Sequence, residues 1–178
     1  MQQKPVEVAL AIIYQLPQSE LIDGKVKLHT HLSSTNLDAP QANFSDIPIR
    51  FLMQLRDDIP GIAFPGSWGL FGGHLEPGEA PDTALIRELQ EEISFSPQHF
   101  WQFNCYKYPE KIRHTYYMPL TVETEQLVLT EGWDFGLLSP TDICKGKAYS
   151  PVADQIRPIA EPTQQILLDF MAASFPIN

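Results

Sequence analysis

The sequence predicts an α/β domain in which a mixed β-sheet is clasped between helices. Apolar and β-branched runs at residues 6–15 and 49–58 predict strands, and amphipathic patterns at residues 81–93 and about 161–174 predict helices. The predicted strands alternate with only two or three helices, which favours helical layers packed on one sheet. The chain has 178 residues, enough to bury a core, and we expect residues 1–178 to form a single domain.

The first strand, VEVALAIIYQ, is rich in Val and Ile and is bounded by prolines. The segment from 16 to about 48 is rich in Ser, Pro, Asn and Asp and predicts an insertion loop, with one alternating piece, GKVKLHTHL, as a candidate strand. His29 and His31 share a face of that piece, but without a third ligand we interpret them as surface histidines. The insertion could serve as a lid or as a dimer arm, so a homodimer stays open.

The second strand, IRFLMQLRDD, leads into a segment with two prolines and five glycines at residues 58–73, which predicts a long shaped loop. The helix at 81–93 follows. Pro81 suits its first turn because a missing N–H costs nothing there. Asp82 suits the positive end of the helix dipole.

Two aromatic and β-branched runs, at residues 99–108 and 113–124, predict further strands. Residues 127–143 predict a loop with a short strand that ends at a turn, Ser139-Pro140. The closing helix has a proline near its start and apolar residues at helical spacing: Ile166, Leu167, Phe170 and Met171.

Composition and charge narrow the class of protein. The net charge of −10 and the lack of a basic cluster argue against a nucleic-acid polymer as partner, although a small phosphorylated substrate is compatible with it if a metal supplies positive charge. No stretch reaches the ~20 apolar residues of a membrane helix, and the apolar N-terminal run lacks a signal-peptide cleavage site. Cys105 and Cys144 have no metal-ligand spacing, and two reduced thiols in a cytoplasmic protein fit better than one disulfide.

Three carboxylates crowd one side of the first predicted helix. At ~100° per residue, Glu88, Glu91 and Glu92 fall within an arc of roughly 100°, beside an apolar stripe that includes Leu85 and Leu89. A solvated acidic face is the simple interpretation. The position next to the core stripe, the neighbouring arginine and the preceding glycine-rich loop favour a site for a hard divalent cation, which needs converging oxygen ligands.

The spacing of this region resembles the box of the Nudix hydrolase family. Gly73 is followed after five residues by Glu79 and, seven residues later, by the run RELQEEISF at 87–95. The family pattern is met at every fixed position except Ser94, which stands where the family has Gly. The flanking WGLFGGH, QLRDD and EGWDFG segments are also similar, so the resemblance extends over residues 6–143.

The resemblance implies an α/β/α sandwich that hydrolyses a diphosphate bond in a nucleoside diphosphate derivative with Mg²⁺ or Mn²⁺. Such derivatives include nucleoside triphosphates, ADP-ribose, dinucleotides and sugar nucleotides. By position it implies a metal site, with the ligands Gly73 (carbonyl), Glu88, Glu91 and Glu92, and a supporting pair, Glu79 with Arg87. An arginine beside carboxylates keeps them ionised and oriented.

Two departures from the pattern concern the shape of the backbone. Ser94 stands at the expected left-handed exit of the helix, where a side chain costs roughly 1 kcal/mol but removes no ligand. Phe71 stands where the family often has Pro and affects only the loop. We therefore expect activity.

The general base is open between a glutamate of the box, Glu88 or Glu91, and a carboxylate from a distant loop. Glu131, in TEGWD, is the best distant candidate, and the alternatives are Asp134, Glu123 and Glu125.

Four residues are candidates for substrate contact: Arg56, Trp68, His74 and Arg113. Arg56 could instead pair with a neighbouring aspartate. Trp68 and also Trp133 could stack on a base or simply pack their loops.

Two other functions compete with the hydrolase. A non-catalytic Nudix-like domain that senses nucleotides or acts as a scaffold typically loses box carboxylates, whereas this chain keeps them all. An isopentenyl diphosphate isomerase shares the fold but depends on a Cys and a Glu in a differently built metal site, and neither cysteine here lies in such a motif.

Overall fold

The computed structural model describes residues 4–16, 21–22, 25–26 and 48–174. The strands are β1 (Val6–Gln15), β2 (Leu21–Ile22), β3 (Lys25–Val26), β4 (Arg50–Leu55), β5 (Trp68–Gly69), β6 (Trp101–Lys107), β7 (Lys111–Pro119), β8 (Asp134–Leu138), β9 (Lys147–Ser150) and β10 (Gln155–Pro158). The helices are α1 (Pro81–Ile93), α2 (Pro140–Lys145) and α3 (Glu161–Ser174), with a 3-10 turn at Thr124–Gln126.

The central sheet is mixed, as predicted. Its strands follow the order β5-β4-β1-β7-β6, and β4 also pairs with β8. β1 and β7 run parallel over nine residue pairs, while the other pairings in this sheet are antiparallel. The short strands form two separate hairpins, β2 with β3 and β9 with β10.

Helices cover both faces of this sheet, which confirms the predicted α/β/α sandwich. Side chains alternate along β1, so that Ala9, Ala11 and Ile13 pack against α1, whereas Ile12 and Tyr14 pack against α2 and α3. Over the residues that the structure describes, none of the helices combines the length and the hydrophobicity needed to cross a bilayer.

β1, α1 and α3 match their predicted bounds closely, and the segment between residues 124 and 160 matches less well. β1 and α1 have the predicted ends. Ser139 does not form a turn but caps α2, since its hydroxyl accepts from the Asp142 N–H and the Asp142 carboxylate accepts from the Ser139 N–H. The hairpin β9–β10 was missed, because each strand has only four residues. Most of the insertion, residues 27–47, and with it His29 and His31, lies outside the described residues.

Helix α1 ends in the geometry expected of a glycine. Ser94 has φ 54° and ψ 35°, in the left-handed region. Its N–H donates to the Gln90 carbonyl, and the Phe95 N–H donates to the Leu89 carbonyl, so that the last carbonyls of the helix are satisfied. The serine therefore keeps the helix end of the family pattern at some cost in backbone strain.

Replacing Ser94 by Gly should raise the free energy of unfolding by about 1 kcal/mol, because glycine removes the Cβ strain of a left-handed residue. Urea denaturation of the two proteins measures this. Ser94→Ala is the control: it removes the hydroxyl but keeps the Cβ, so its stability should stay near that of the wild type. Equal stabilisation by Ala and Gly would contradict the assignment of the cost to backbone conformation.

Candidate active site

A glycine loop lies alongside β1 and forms one wall of the site. The Ala9 N–H donates to the Gly73 carbonyl and the Ala11 N–H to the Phe71 carbonyl, both at 2.9 Å. Gly72 has φ 118°, and a Cβ there would lie 2.1 Å from the Ala9 carbonyl oxygen. Only glycine permits this approach. Phe71 is fully buried in the core beneath the loop, in keeping with the expected effect on loop shape.

The second glycine of the pair is in contact with the acidic helix. A Cβ on Gly73 would lie 2.5 Å from the Glu88 carboxyl group. The carboxylate of α1 therefore rests directly on the loop, and any larger residue at position 73 would displace it.

Arg87 joins the loop to the helix, as predicted. Its Nε and Nη2 each lie 3.0 Å from a different oxygen of Glu79, which makes a bidentate ion pair, and Nη2 also donates to the His74 carbonyl. Nη1 donates to Glu88 at 2.9 Å and to Glu91 at 3.2 Å. The hydrogen bond from Arg87, helped by that from the Glu76 N–H, holds the pKa of Glu79 below its ordinary value.

Glu92 is the buried carboxylate of the site. It is 5% exposed, and its Oε2 accepts a hydrogen bond of 2.7 Å from the Gly72 N–H. Its pKa is raised to about 8, mainly by burial and also by the charges of Glu88 and Glu131, against the lowering effects of the Gly72 hydrogen bond and of Arg56. A group with this environment is a strong candidate for a functional role.

Glu131 is held beside α1 by its own loop. The N–H and hydroxyl of Thr130 both donate to the Glu92 carbonyl, at 2.9 and 3.0 Å, and the hydroxyl also donates to the Glu91 carbonyl. The side-chain amide of Gln54 donates to the Glu131 carbonyl at 2.7 Å. Sequence reasoning missed Thr130 and Gln54, although a glutamine within the apolar run of β4 was an available signal.

The other carboxylates considered as the base are engaged elsewhere. Asp134 is buried and accepts from the Ser150 hydroxyl at 2.6 Å. Glu123 caps the 3-10 turn at residues 124–126. Neither of them, nor the exposed Glu125 of the same turn, lines the cleft that holds Glu131.

Glu91 lies apart from the other two acidic residues of α1. Its side chain is 62% exposed and its carboxylate faces Arg87, outside the cleft that Glu88 and Glu92 line. Within residues 4–16 and 48–174, no three side chains of His, Cys, Asp or Glu stand close enough to share one metal ion in this arrangement. Instead, the Glu88 carboxylate accepts a hydrogen bond from Arg87, and the Glu92 carboxylate accepts one from the Gly72 N–H.

The cleft combines carboxylates with cations. It has a volume of about 330 Å³ and is lined by the glycine loop, by Glu88, Glu92 and Glu131, by His74, and by three basic residues: Arg56, Lys111 and Arg113. None of these three basic side chains makes an ion pair within the described ranges. Burial and the charges of Arg113 and Arg56 lower the pKa of Lys111. Because Arg56, Lys111 and Arg113 have no ion-pair partner in the described ranges, their side chains are available to bind an anion.

The two tryptophans considered for base stacking do not line the cleft. Trp68 is 1% exposed in the core, and its ring N–H donates to the Ala148 carbonyl. The prediction that Trp68 contacts the substrate is therefore wrong, because a buried ring has no exposed face on which a base can stack. Trp133 packs under the Arg157 guanidinium at 4.9 Å.

The residues of the cleft supply the kind of donor atoms that a divalent metal needs, although their side chains would have to move closer together than in this arrangement to share one ion. Three carboxylates, Glu88, Glu92 and Glu131, interact in one cleft, and burial raises the pKa of Glu92. Gly73, whose carbonyl oxygen accepts from the Ala9 N–H, lines the same cleft. Hard oxygen donors of this kind suit Mg²⁺ or Mn²⁺, and a bound cation would offset the repulsion between the carboxylates.

A mixed sheet between helices, with a glycine loop set against an acidic helix, defines the class of Nudix domains. The family model described as the NUDIX domain matches residues 48–152, which is more than half of the chain. The chain belongs to the Nudix hydrolase family.

Comparison with individual proteins supports the same family. The 8-oxo-dGTP diphosphatase of Escherichia coli (strain K12) is 49% identical over 43 residues, which are 24% of this chain and 33% of that protein. The chain thus covers about a third of the length of this curated relative.

Two solved structures share the fold. One is from work on MutT from Aliivibrio salmonicida and Vibrio cholerae (TM-score 0.60, 19% identity, 95% of this chain and 98% of that one). The other is the NUDIX domain of Shewanella oneidensis NrtR, solved with ADP ribose (TM-score 0.58, 13% identity, 93% and 86%).

The stability of the metal-free protein should depend on the ionisation of Glu92. The folded state holds the Glu92 proton to about pH 8, whereas the unfolded state releases it near 4.5. The contribution to stability is therefore fully present below about 4.5 and is lost as the pH rises through about 8. With EDTA present, Glu92→Gln should unfold at higher urea than the wild type at about pH 9, by at least about 1 kcal/mol, and the gap should narrow at about pH 5.

Glu125→Gln is the matched control for this pH series, because Glu125 lies in the exposed 3-10 turn away from the cleft. Its denaturation midpoints should follow those of the wild type at each pH. A constant difference between Glu92→Gln and the wild type across the pH range would show that Glu92 does not titrate differently in the folded state.

Proposed function

We propose that this protein is a metal-dependent hydrolase of a diphosphate bond in a nucleoside diphosphate derivative. The observation that carries the proposal is the lining of one cleft by three carboxylates and three cations without ion-pair partners in the described ranges. Carboxylates suit a divalent metal, and basic residues suit phosphate oxygens. A small molecule in the cytoplasm, rather than a nucleic-acid polymer, is the proposed partner, and residues 1–178 are proposed to act as one domain.

The glycine loop and α1 would hold the metal. Its proposed ligands are the Gly73 carbonyl and the carboxylates Glu88, Glu91 and Glu92. When bound, Mg²⁺ or Mn²⁺ offsets the negative charge of the phosphates and lowers the pKa of a water molecule. Glu91 would have to turn from Arg87 toward the cleft, and its exposed position leaves it room to do so.

Arg87 and Glu79 are proposed to act by orientation. Their bidentate pair fixes the guanidinium, and the guanidinium in turn fixes one oxygen of Glu88. Holding a charged ligand in place before substrate arrives reduces the cost of reorganisation during the reaction.

Glu131 is the proposed general base, with Glu88 and Glu91 of the box as the alternatives. Glu131 is the exposed carboxylate of the cleft, on a loop held by Thr130 and Gln54. An ionised carboxylate beside the cleft can accept a proton from an attacking water molecule at a side-chain oxygen.

The cations are proposed to bind the phosphates. Arg56 donates its Nε–H to the Ala63 carbonyl at 2.8 Å, which fixes the guanidinium and leaves both Nη groups to donate to an anion. Lys111 and Arg113 lie on β7 and also line a neighbouring cavity of about 600 Å³ with Tyr108 and Gln165. His74 borders the cleft at the loop.

Two kinds of leaving group fit the proposal: a phosphate chain or a second organic group. The relative from Escherichia coli is named for 8-oxo-dGTP, and the NrtR domain was solved with ADP ribose. The cavity beside Lys111 offers space for a group attached beyond the diphosphate.

A panel of nucleoside triphosphates, ADP-ribose, dinucleotides and sugar nucleotides, incubated with Mg²⁺ or Mn²⁺ and resolved by chromatography, tests the function. The wild type should turn over at least one compound, and Glu92→Gln should be slower by about 10²-fold or more, since it loses a charged metal ligand. Glu125→Gln, the matched control, should keep full activity.

Equal rates for the wild type and Glu92→Gln would refute the role of Glu92 as a metal ligand. Binding of a nucleotide without turnover of any compound would instead support the alternative, a non-catalytic Nudix-like domain.

Mn²⁺ should raise the melting temperature of the wild type, because the ion binds the folded state and relieves the repulsion between carboxylates. Measured by thermal shift at neutral pH, the increase should grow with Mn²⁺ concentration and should be largely lost in Glu92→Gln. The same increase in both proteins would place the binding of the ion elsewhere.

A further inference from the structure

Three side chains on the α1 face of the sheet form a cluster away from the cleft. Cys105 lies on β6, His114 lies opposite it on β7, and Glu7 lies on β1. The Cys105 Sγ is 3.7 Å from the His114 Nδ1, and the His114 Nε2 is 3.0 Å from the Glu7 Oε2. The imidazole thus stands between a thiol and a carboxylate.

The arrangement orients the ring for one chemical role. An ionised carboxylate can only accept, so Glu7 accepts from Nε2–H, and a neutral imidazole held in this way presents the lone pair of Nδ1 to the thiol. The same hydrogen bond is the main cause that lowers the pKa of Glu7. A weak nucleophile is activated when a base lies beside it and a third group, here a carboxylate, orients the base.

The cluster is built into the sheet rather than left to exposed side chains. The imidazole is 16% exposed and its position is set by the register of three neighbouring strands. Lys4 lies 3.6 Å from the second oxygen of Glu7. Tyr116, which lies on the same face, has its pKa raised mainly by burial and to a smaller extent by Asp82.

The thiol is accessible at the edge of the sheet. Among the described strands β6 is the last in the order, so no described strand pairs with its outer side, and Cys105 is partly exposed. The chain contains one other cysteine, Cys144 in α2, which is exposed and has no imidazole partner in the described ranges. Cys144 is therefore the more exposed thiol, whereas Cys105 is the thiol that has a neighbouring base.

We propose that Cys105 is a reactive thiol, activated by His114 and Glu7, that forms a mixed disulfide with a low-molecular-weight disulfide. The thiol proton moves to the His114 Nδ1 as Sγ attacks one sulfur of the disulfide. The sulfur–sulfur bond of the reagent breaks, a new bond forms to Sγ, and the departing thiolate takes the proton from the imidazole. The products are the modified protein and one free thiol.

Glutathione disulfide is the probe, and peptide mass spectrometry of the full-length protein follows both cysteines in one sample. At neutral pH, Cys105 should react about tenfold or more faster than Cys144, against the order that exposure alone predicts. Dominance of Cys144 in the wild type would overturn the proposal.

Substitutions then distinguish activation of Cys105 by His114 and Glu7 from a purely structural role of these residues. His114→Asn should slow the modification of Cys105 to about the rate of Cys144, and Glu7→Gln should slow it severalfold. His99→Asn is the matched control, because His99 is exposed near the same strand but contacts Trp101 rather than a cysteine. It should leave both rates unchanged.

The direction of the change distinguishes a base from a structural residue. Loosening of the sheet would expose Cys105 and speed its reaction, whereas loss of the base slows it. Should His114→Asn fail to fold, as judged by its thermal transition, the milder Glu7→Gln gives the same test. A folded variant of either kind with an unchanged or faster reaction at Cys105 would overturn the proposal.

Discussion

The hydrogen bond between the Gly72 N–H and the Glu92 carboxylate connects the three parts of the cleft. It holds a buried acidic group of α1 against the glycine loop, and the backbone of Glu92 in turn anchors the loop that carries Glu131. Burial makes ionisation of that carboxylate unfavourable, which is why its pKa lies near 8. Two sets of contacts offset this free-energy cost: β1 pairs with the glycine loop, and the apolar stripe of α1 packs in the core.

Arg87 distributes charge within the same region. It contacts Glu79, Glu88 and Glu91 together with the His74 carbonyl. In the absence of a cation this single guanidinium offsets much of the acidity of the helix, and it does so by holding carboxylates that a metal would use. If Glu91 is a metal ligand as proposed, binding of a divalent ion would require its carboxylate to exchange Arg87 for the ion.

The pattern of the sequence was sufficient for the sandwich, for α1 and for the loop of glycines. Periodicity marks a helix with one apolar stripe, and a rotation of ~100° per residue places the acidic cluster at the edge of that stripe. Local signals of this kind do not reveal which distant segments meet. The support of the Glu131 loop by Gln54 joins residues 77 apart in the chain, and the burial of Trp68 depends on α3 and on the hairpin β9–β10, which was not predicted.

Helix α3 also forms part of the cleft. Pro162, Thr163 and Ile166 line it together with the glycine loop. The same helix supplies core contacts to the sheet through Phe170. One helix therefore serves both the core and the cleft, so a substitution that shifts the packing of Phe170 would also move a wall of the cleft.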